Sequence, residues 1–158
     1  MLALIPAHEK RFIPDIKAMF LEYETFLDFD LCFQDFEEEL QSLPGDYAPP
    51  SGKLFIAHWK NQPAGCIALR KKSEDTCEMK RLWVRPEFRG LAIGRALAEK
   101  LVGEADKIGY KTMVLDTVPK LKAAIALYHS MGFVDAEPYY DTPIACTVSM
   151  RLDLTKRK

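Results

Sequence analysis

The chain has 158 residues, with 22 basic and 23 acidic side chains and a hydrophobic fraction of 48%. That suits one domain (1–158) with a substantial core, and the near-cancelling charge gives no general attraction to nucleic acid or to a membrane surface. Met1 to Pro6 is too short for a signal-peptide core and no apolar run is long enough to span a bilayer, so a cytoplasmic location is expected.

In chain order, Leu2 to Ile5 reads as a short strand. Phe12, Ile13, Ile16, Met19, Phe20, Tyr23 and Leu27 recur at three- and four-residue steps and predict a first helix, with Pro14 tolerated in its opening turn. Phe36 to Leu43 predicts a short second helix stopped by Pro44-Gly45, followed by a loop to Gly52. Leu54 to Lys60 and Ala64 to Lys72 predict a hairpin turning at Asn61-Gln62-Pro63, and Thr76 to Val84 a third strand beside it. A helix is predicted from Gly94 to Ile108, buried through Leu97, Leu101, Ala105 and Ile108 and capped by Gly109. Lys111 to Asp116 reads as a strand, Leu121 to Met131 as a helix, and Val134 to Tyr140 and Ala145 to Leu154 as the last strands. This order predicts an α/β (α+β) fold with a mixed sheet of six to seven strands and about four helices. Cys32, Cys66, Cys77 and Cys146 show no C-x-x-C spacing and no paired histidines, so they read as reduced thiols with no zinc site; disulfides are the competing reading.

The most informative stretch is Arg85-Pro-Glu-Phe-Arg-Gly-Leu-Ala-Ile-Gly-Arg95, a basic loop that runs into the helix. Small residues at Gly90, Ala92 and Gly94 let the backbone curl so that successive N–H groups face one centre, and the helix N-terminus adds its unpaired donors and dipole. Arg85, Arg89 and Arg95 are expected around that centre, which makes the stretch a phosphate cradle. Gly94 is followed by Arg95-Ala96 rather than Lys-Ser/Thr, which argues against a nucleoside triphosphatase. The charged strand before the loop leaves a dinucleotide-binding fold as a weak alternative.

Arg89-x-x-Ala92-x-Gly94 resembles the Q/R-x-x-G-x-G/A signature of the GNAT superfamily of N-acetyltransferases, with alanine for the first glycine. Ala124-Ile-Ala-Leu-Tyr-His-Ser-Met-Gly-Phe133 resembles the family's second signature, at the family's spacing. Leu115-Asp116-Thr117 and Pro138-Tyr139-Tyr140 look like features of a bacterial branch. The resemblance covers roughly residues 53–154, the expected cofactor-binding core, and implies acetyl transfer from acetyl-CoA to an amine. It also implies that β-strand residues Leu82, Trp83 and Val84 hold the acyl and pantetheine portion, with a backbone N–H there for the oxyanion. Arg89, Gly90, Leu91, Ala92, Ile93, Gly94 and Arg95 would hold the pyrophosphate. Tyr128 matches the tyrosine that serves as general acid, and Glu78 the position of a glutamate base in protein-acetylating members. A surface pairing of Glu78 with Lys80 is the alternative for that residue, and core packing for Tyr128. Leu121 stands where many relatives have an asparagine, so one cofactor contact is missing.

The acceptor is read from charge. No lysine or arginine occurs between Lys17 and Lys53, and the same span is rich in carboxylates. Glu22, Glu24, Asp28 and Asp30 are the acceptor-side candidates, with Asp116 either capping a turn or touching the acceptor. An acidic wall there would draw a small cationic amine or an amino-acid-like molecule. A non-catalytic acyl-CoA sensor or interaction domain is the alternative, a protein or peptide N-acetyltransferase a weaker one. A homodimer is left open.

Overall fold

The computed structural model describes residues 1–27, 36–137 and 148–156. Seven strands form one sheet in the order β1-β2-β3-β4-β5-β7-β6, with strands Leu2–Pro6, Lys53–Trp59, Gln62–Lys71, Thr76–Val84, Thr112–Thr117, Val134–Ala136 and Val148–Asp153 numbered along the chain. Among the described residues four α-helices accompany it: α1 (Ile13–Leu27), α2 (Phe36–Ser42), α3 (Ile93–Ile108) and α4 (Lys122–Ser130). The fold class and the order of elements agree with the sequence. The segments 138–140 and 145–147, expected as strand, lie outside the described residues, as do Asp28, Asp30, Cys32 and Cys146.

Alternation along the strands divides the core between two faces. Leu69, Met79, Met113 and Leu115 point to the face covered by α3, whose Leu97, Leu101 and Ala105 are fully buried. Leu54, Ile56, Ala68 and Trp83 point to the opposite face, under Ile16, Met19, Phe20 and Tyr23 of α1. Ile108 departs from expectation. It is 37% exposed, because the stripe leaves the sheet in the last turn before Gly109 takes the left-handed cap at φ 109°.

The hairpin between β2 and β3 also differs from the prediction. Trp59 pairs with Gln62, and Lys60 and Asn61 carry φ of 51° and 66°. The turn is therefore a two-residue one of the kind that matches strand twist. Pro63 is not part of it; it sits at a register shift, where a strand tolerates a missing N–H.

Two irregularities position the site. β3 and β4 change register between Cys66 and Ala68, where β4 carries one extra residue and Arg81 within that bulge has φ 60°. On the other edge, β4 and β5 pair in parallel only at Thr76↔Thr112, Cys77↔Met113 and Glu78↔Val114. Beyond Glu78 the two strands part, although β4 continues to Val84 and β5 to Thr117. The sheet is split open at its centre.

Candidate active site

The opening between β4 and β5 leads into a cleft of about 490 Å³. Leu82, Trp83 and Val84 form its strand wall, residues 89, 90 and 92–94 its loop wall, and the start of α4 its far side. Most of the expected cofactor residues therefore converge. Leu91 and Arg95 do not line the cleft: Leu91 is 40% exposed, and Arg95 donates to Ser130 Oγ at 2.8 Å.

Backbone geometry explains the loop motif. Gly90 has φ 86° and Ala92 has φ 62°, ψ 23°, so the chain passes twice through the left-handed region before α3 begins. An added Cβ at Gly90 would meet nothing within 4 Å, so that glycine serves conformation rather than space. Ala92 marks the position where the signature prefers glycine for the same reason. The first helical bond is Ala96 N–H to Ala92 O, and the N–H groups of residues 90–95 donate to no described backbone carbonyl. Those donors converge at a helix N-terminus, the arrangement that binds phosphate.

Arg89 lines the cleft, whereas Arg85 and Arg95 are placed otherwise than expected. Arg85 donates to Glu22 through Nε at 3.0 Å and Nη2 at 2.9 Å, and to Pro63 O at 3.2 Å. Glu22 also accepts from Trp83 Nε1 at 3.0 Å, and these partners lower its pKa against the opposing effect of burial. Arg85 thus ties β4 to α1, and Glu22 is committed to it rather than free on an acidic wall. Arg89 donates to Val84 O at 3.0 Å and its guanidinium lies 4.8 Å from the Trp83 ring and 5.4 Å from Phe26. The loop wall of the cleft is consequently backbone, with the Arg89 side chain beside it. Lys120 and Lys122, absent from the sequence reading, line the cleft, and Lys120 Nζ donates to Phe26 O, joining the α4 approach to α1. Their signal was the Lys-Leu-Lys run immediately before the second motif. Leu121, in the place of the asparagine, gives the cleft an apolar wall.

Tyr128 is 5% exposed and packs on Phe133 with ring centroids 5.6 Å apart. Burial pushes its hydroxyl pKa well up, and Tyr23 from the opposite face adds to the effect across the opening. The hydroxyl therefore keeps its proton at neutral pH. Glu78 is 3% exposed and accepts from Arg70 Nε at 2.7 Å, so its close partner is Arg70 directly across β3 rather than Lys80. Asp116 accepts the Ser149 hydroxyl at 3.1 Å from β7. Glu24 lies half-buried on α1. His129 is a surface residue 3.1 Å from Asp135.

Residues 13–133 match the model of the acetyltransferase (GNAT) family. The chain belongs to that family. An uncharacterized N-acetyltransferase of Schizosaccharomyces pombe is 41% identical over 91% of this chain and 90% of its own length. Another from Dictyostelium discoideum is 32% identical over 90% of this chain and 94% of its own. Full-length resemblance therefore reaches eukaryotic proteins and is not confined to a bacterial branch. The human N-acetylaspartate synthetase is 34% identical over 69% of this chain and 35% of its own length. A GNAT acetyltransferase structure from Staphylococcus aureus superposes with TM-score 0.81 over 98% of this chain and 99% of that one, at 17% identity. YncA of Salmonella typhimurium, solved with its cofactor acetyl-CoA, superposes with TM-score 0.70 over 99% of this chain and 95% of that one, at 18% identity. Membership of this family makes the chain an acetyl-CoA-dependent acyltransferase. None of the helices among the described residues is long and apolar enough to cross a membrane.

Proposed function

We propose that this GNAT domain moves an acetyl group from acetyl-CoA to the primary amine of a small acceptor by direct attack. The observation that carries the reading is the split between β4 and β5 with unpaired N–H groups at its far end. The cleft fits a long thin cofactor, with residues 90–95 holding phosphate and β4 holding the pantetheine chain. Acetyl-CoA, when bound, supplies an activated acyl group.

The amine nitrogen forms its bond to the acetyl carbon as the carbon–sulfur bond breaks. One proton leaves the nitrogen and one reaches the sulfur, giving an N-acetylated amine and a free thiol. Tyr128 is proposed as the donor to sulfur, because its hydroxyl is protonated at neutral pH and the departing thiolate takes up a proton. Glu78, held by Arg70 Nε at 2.7 Å, is proposed to take the amine proton. Arg85 N–H donates to Ala64 O, so strand alternation turns the Val84 N–H toward the opening, where an oxyanion would develop.

A small cationic or amino-acid-like acceptor is favoured by the carboxylate-rich span between Lys17 and Lys53, which holds no lysine or arginine, and by the relative that is an N-acetylaspartate synthetase. A cytoplasmic location is also proposed, consistent with the free, buried Cys66 and Cys77. Thiol release measured with an amine panel tests the assignment. Tyr128→Phe should lower turnover at least tenfold with acetyl-CoA affinity within twofold, and Glu78→Gln should shift the pH dependence. Unchanged turnover in Tyr128→Phe, with chemistry limiting the rate, returns that residue to the core.

A further inference from the structure

Among the described residues on the sheet face opposite α3, the cations Arg70, Lys80 and Arg81 outnumber the carboxylates Glu78 and Glu39. Glu78 pairs across the ladder with Arg70 and Lys80 with Ala68, and Ala68 belongs to the core under α1. Glu78 and Lys80 therefore face α1 and α2, away from the cofactor helix. Two ion pairs occupy this face. Arg70 meets Glu78 at 2.7 Å, and Arg81 meets Glu39 through two hydrogen bonds at 2.9 and 2.8 Å. Each of those carboxylates has an arginine.

Lys80 lies among them, 8% exposed, with no hydrogen bond or ion pair among the described residues. Burial and the neighbouring Arg81 bring its pKa down to about 8, so the group remains largely charged at neutral pH. Nor is its Nζ sealed into the core, because His58 Nε2 is the only fully enclosed side-chain polar atom without a partner among the described residues. Glu78 and Glu39 act on this ammonium but are each held by an arginine, and they offset only part of the burial and of the repulsion from Arg81 and Arg70. A buried cation so placed is costly, and perturbed groups of this kind cluster at functional sites.

Its place in the fold says which ligand. The β4–β5 ladder ends at Glu78, so Lys80 stands just inside the opening, on the face away from the cofactor helix. Residues 82–84, where the acyl group is proposed to lie, are about 7–13 Å further along the same strand. A lysine side chain and a small amino acid together span that distance.

We propose that Lys80 anchors a carboxylate of the acceptor, so that the amine acetylated here belongs to an amino acid or a related small zwitterion. This deepens the acyltransferase reading and rests on it. The ammonium of a zwitterion suits the carboxylate-rich span between Lys17 and Lys53, and its carboxylate offsets the excess of cations around Lys80.

The test compares glycine with glycinamide and aspartate with asparagine, at neutral pH and saturating acetyl-CoA, in wild type and Lys80→Met. The amide of glycine has the less basic amine, which works against the predicted preference. Wild type should favour the more carboxylated member of at least one pair by tenfold or more in kcat/KM, and Lys80→Met should erase most of that preference, mainly through KM. Equal or better use of the amides, or an undiminished preference in Lys80→Met, overturns the proposal. Failure of the acyltransferase reading would look different: no thiol release with any amine, carboxylated or not. In that case amide chemical shifts around β4 are followed on adding glycine or aspartate to the CoA-bound protein. Shifts present in wild type and lost in Lys80→Met uphold the anion site, and their absence in wild type overturns it.

Discussion

Ala92→Gly should stabilise this protein, although a glycine at the start of a helix usually looks harmful. Ala92 sits at φ 62°, ψ 23°, a region in which an L-residue costs about 1–2 kcal/mol. Glycine relieves that cost and returns about 0.5–1 kcal/mol of it through the greater freedom of its unfolded chain. It is also a better residue than alanine at the position preceding a helix. The expected net gain is about 0.5–1 kcal/mol, or a rise of about 1–4 °C in Tm for a chain of this size. Urea unfolding should show a higher midpoint at unchanged slope. Acetyl-CoA affinity should stay within twofold, because the proposed contact is the N–H and not the methyl. Ala92→Val should move the other way, since a β-branched side chain is worse at positive φ. A glycine variant less stable than wild type, or glycine and valine variants shifting together, would refute the strain argument.

Other outcomes follow from the same geometry. Lys80→Met should raise the stability of the ligand-free protein by on the order of 1–3 kcal/mol near neutral pH, since the lysine is held from 10.5 down to about 8 by burial and neighbouring cations; urea unfolding that shows a loss would contradict a cation only partly offset. Burial raises Tyr23, Tyr47 and Tyr128 above 10.0, so above that pH the unfolded chain releases protons first. Their contribution to stability is intact below pH 10 and should fall by about 1.4 kcal/mol per pH unit for each tyrosine as pH rises, read from urea midpoints between about pH 9 and 11. Arg89→Glu should weaken acetyl-CoA binding in calorimetry by more than Arg89→Gln, because it places a carboxylate at the rim of a phosphate site; equal affinities would misplace the cradle. A Glu22–Arg85 double-mutant cycle should return no more than about 1 kcal/mol, the partners being 38% and 22% exposed, and neither single variant should alter the pKa values that govern turnover.

The periodicity of the helices, the alternation of the strands and both motifs were legible because each depends on residues close together in sequence. Leu97, Leu101 and Ala105 announce their buried stripe by spacing alone. Partners that meet across the fold were not legible. Glu78 found Arg70 rather than Lys80 because the residue directly opposite on β3 is nearer than the one two steps along β4. Arg85 sits in the basic loop by sequence, yet the end of β4 turns it toward α1 and Glu22. The bulge at Arg81 has no glycine or proline to mark it, so the positive φ there could be seen only in the structure. Lys80 reads as an ordinary charged strand residue until its burial and the matched pairs around it are known.

The central claim, acetyl transfer by direct attack, is tested most directly by following both products of one reaction. Acetyl-CoA and an amine panel are mixed with the protein, thiol and acetylated amine are quantified together, and the intact mass of the protein is recorded during turnover. The account predicts thiol and acetylated amine in equal amounts and no acetylated form of the protein. Acetyl-CoA binding without thiol release across the whole panel would favour a sensor, and an acetylated protein that passes its group to the amine would contradict direct attack.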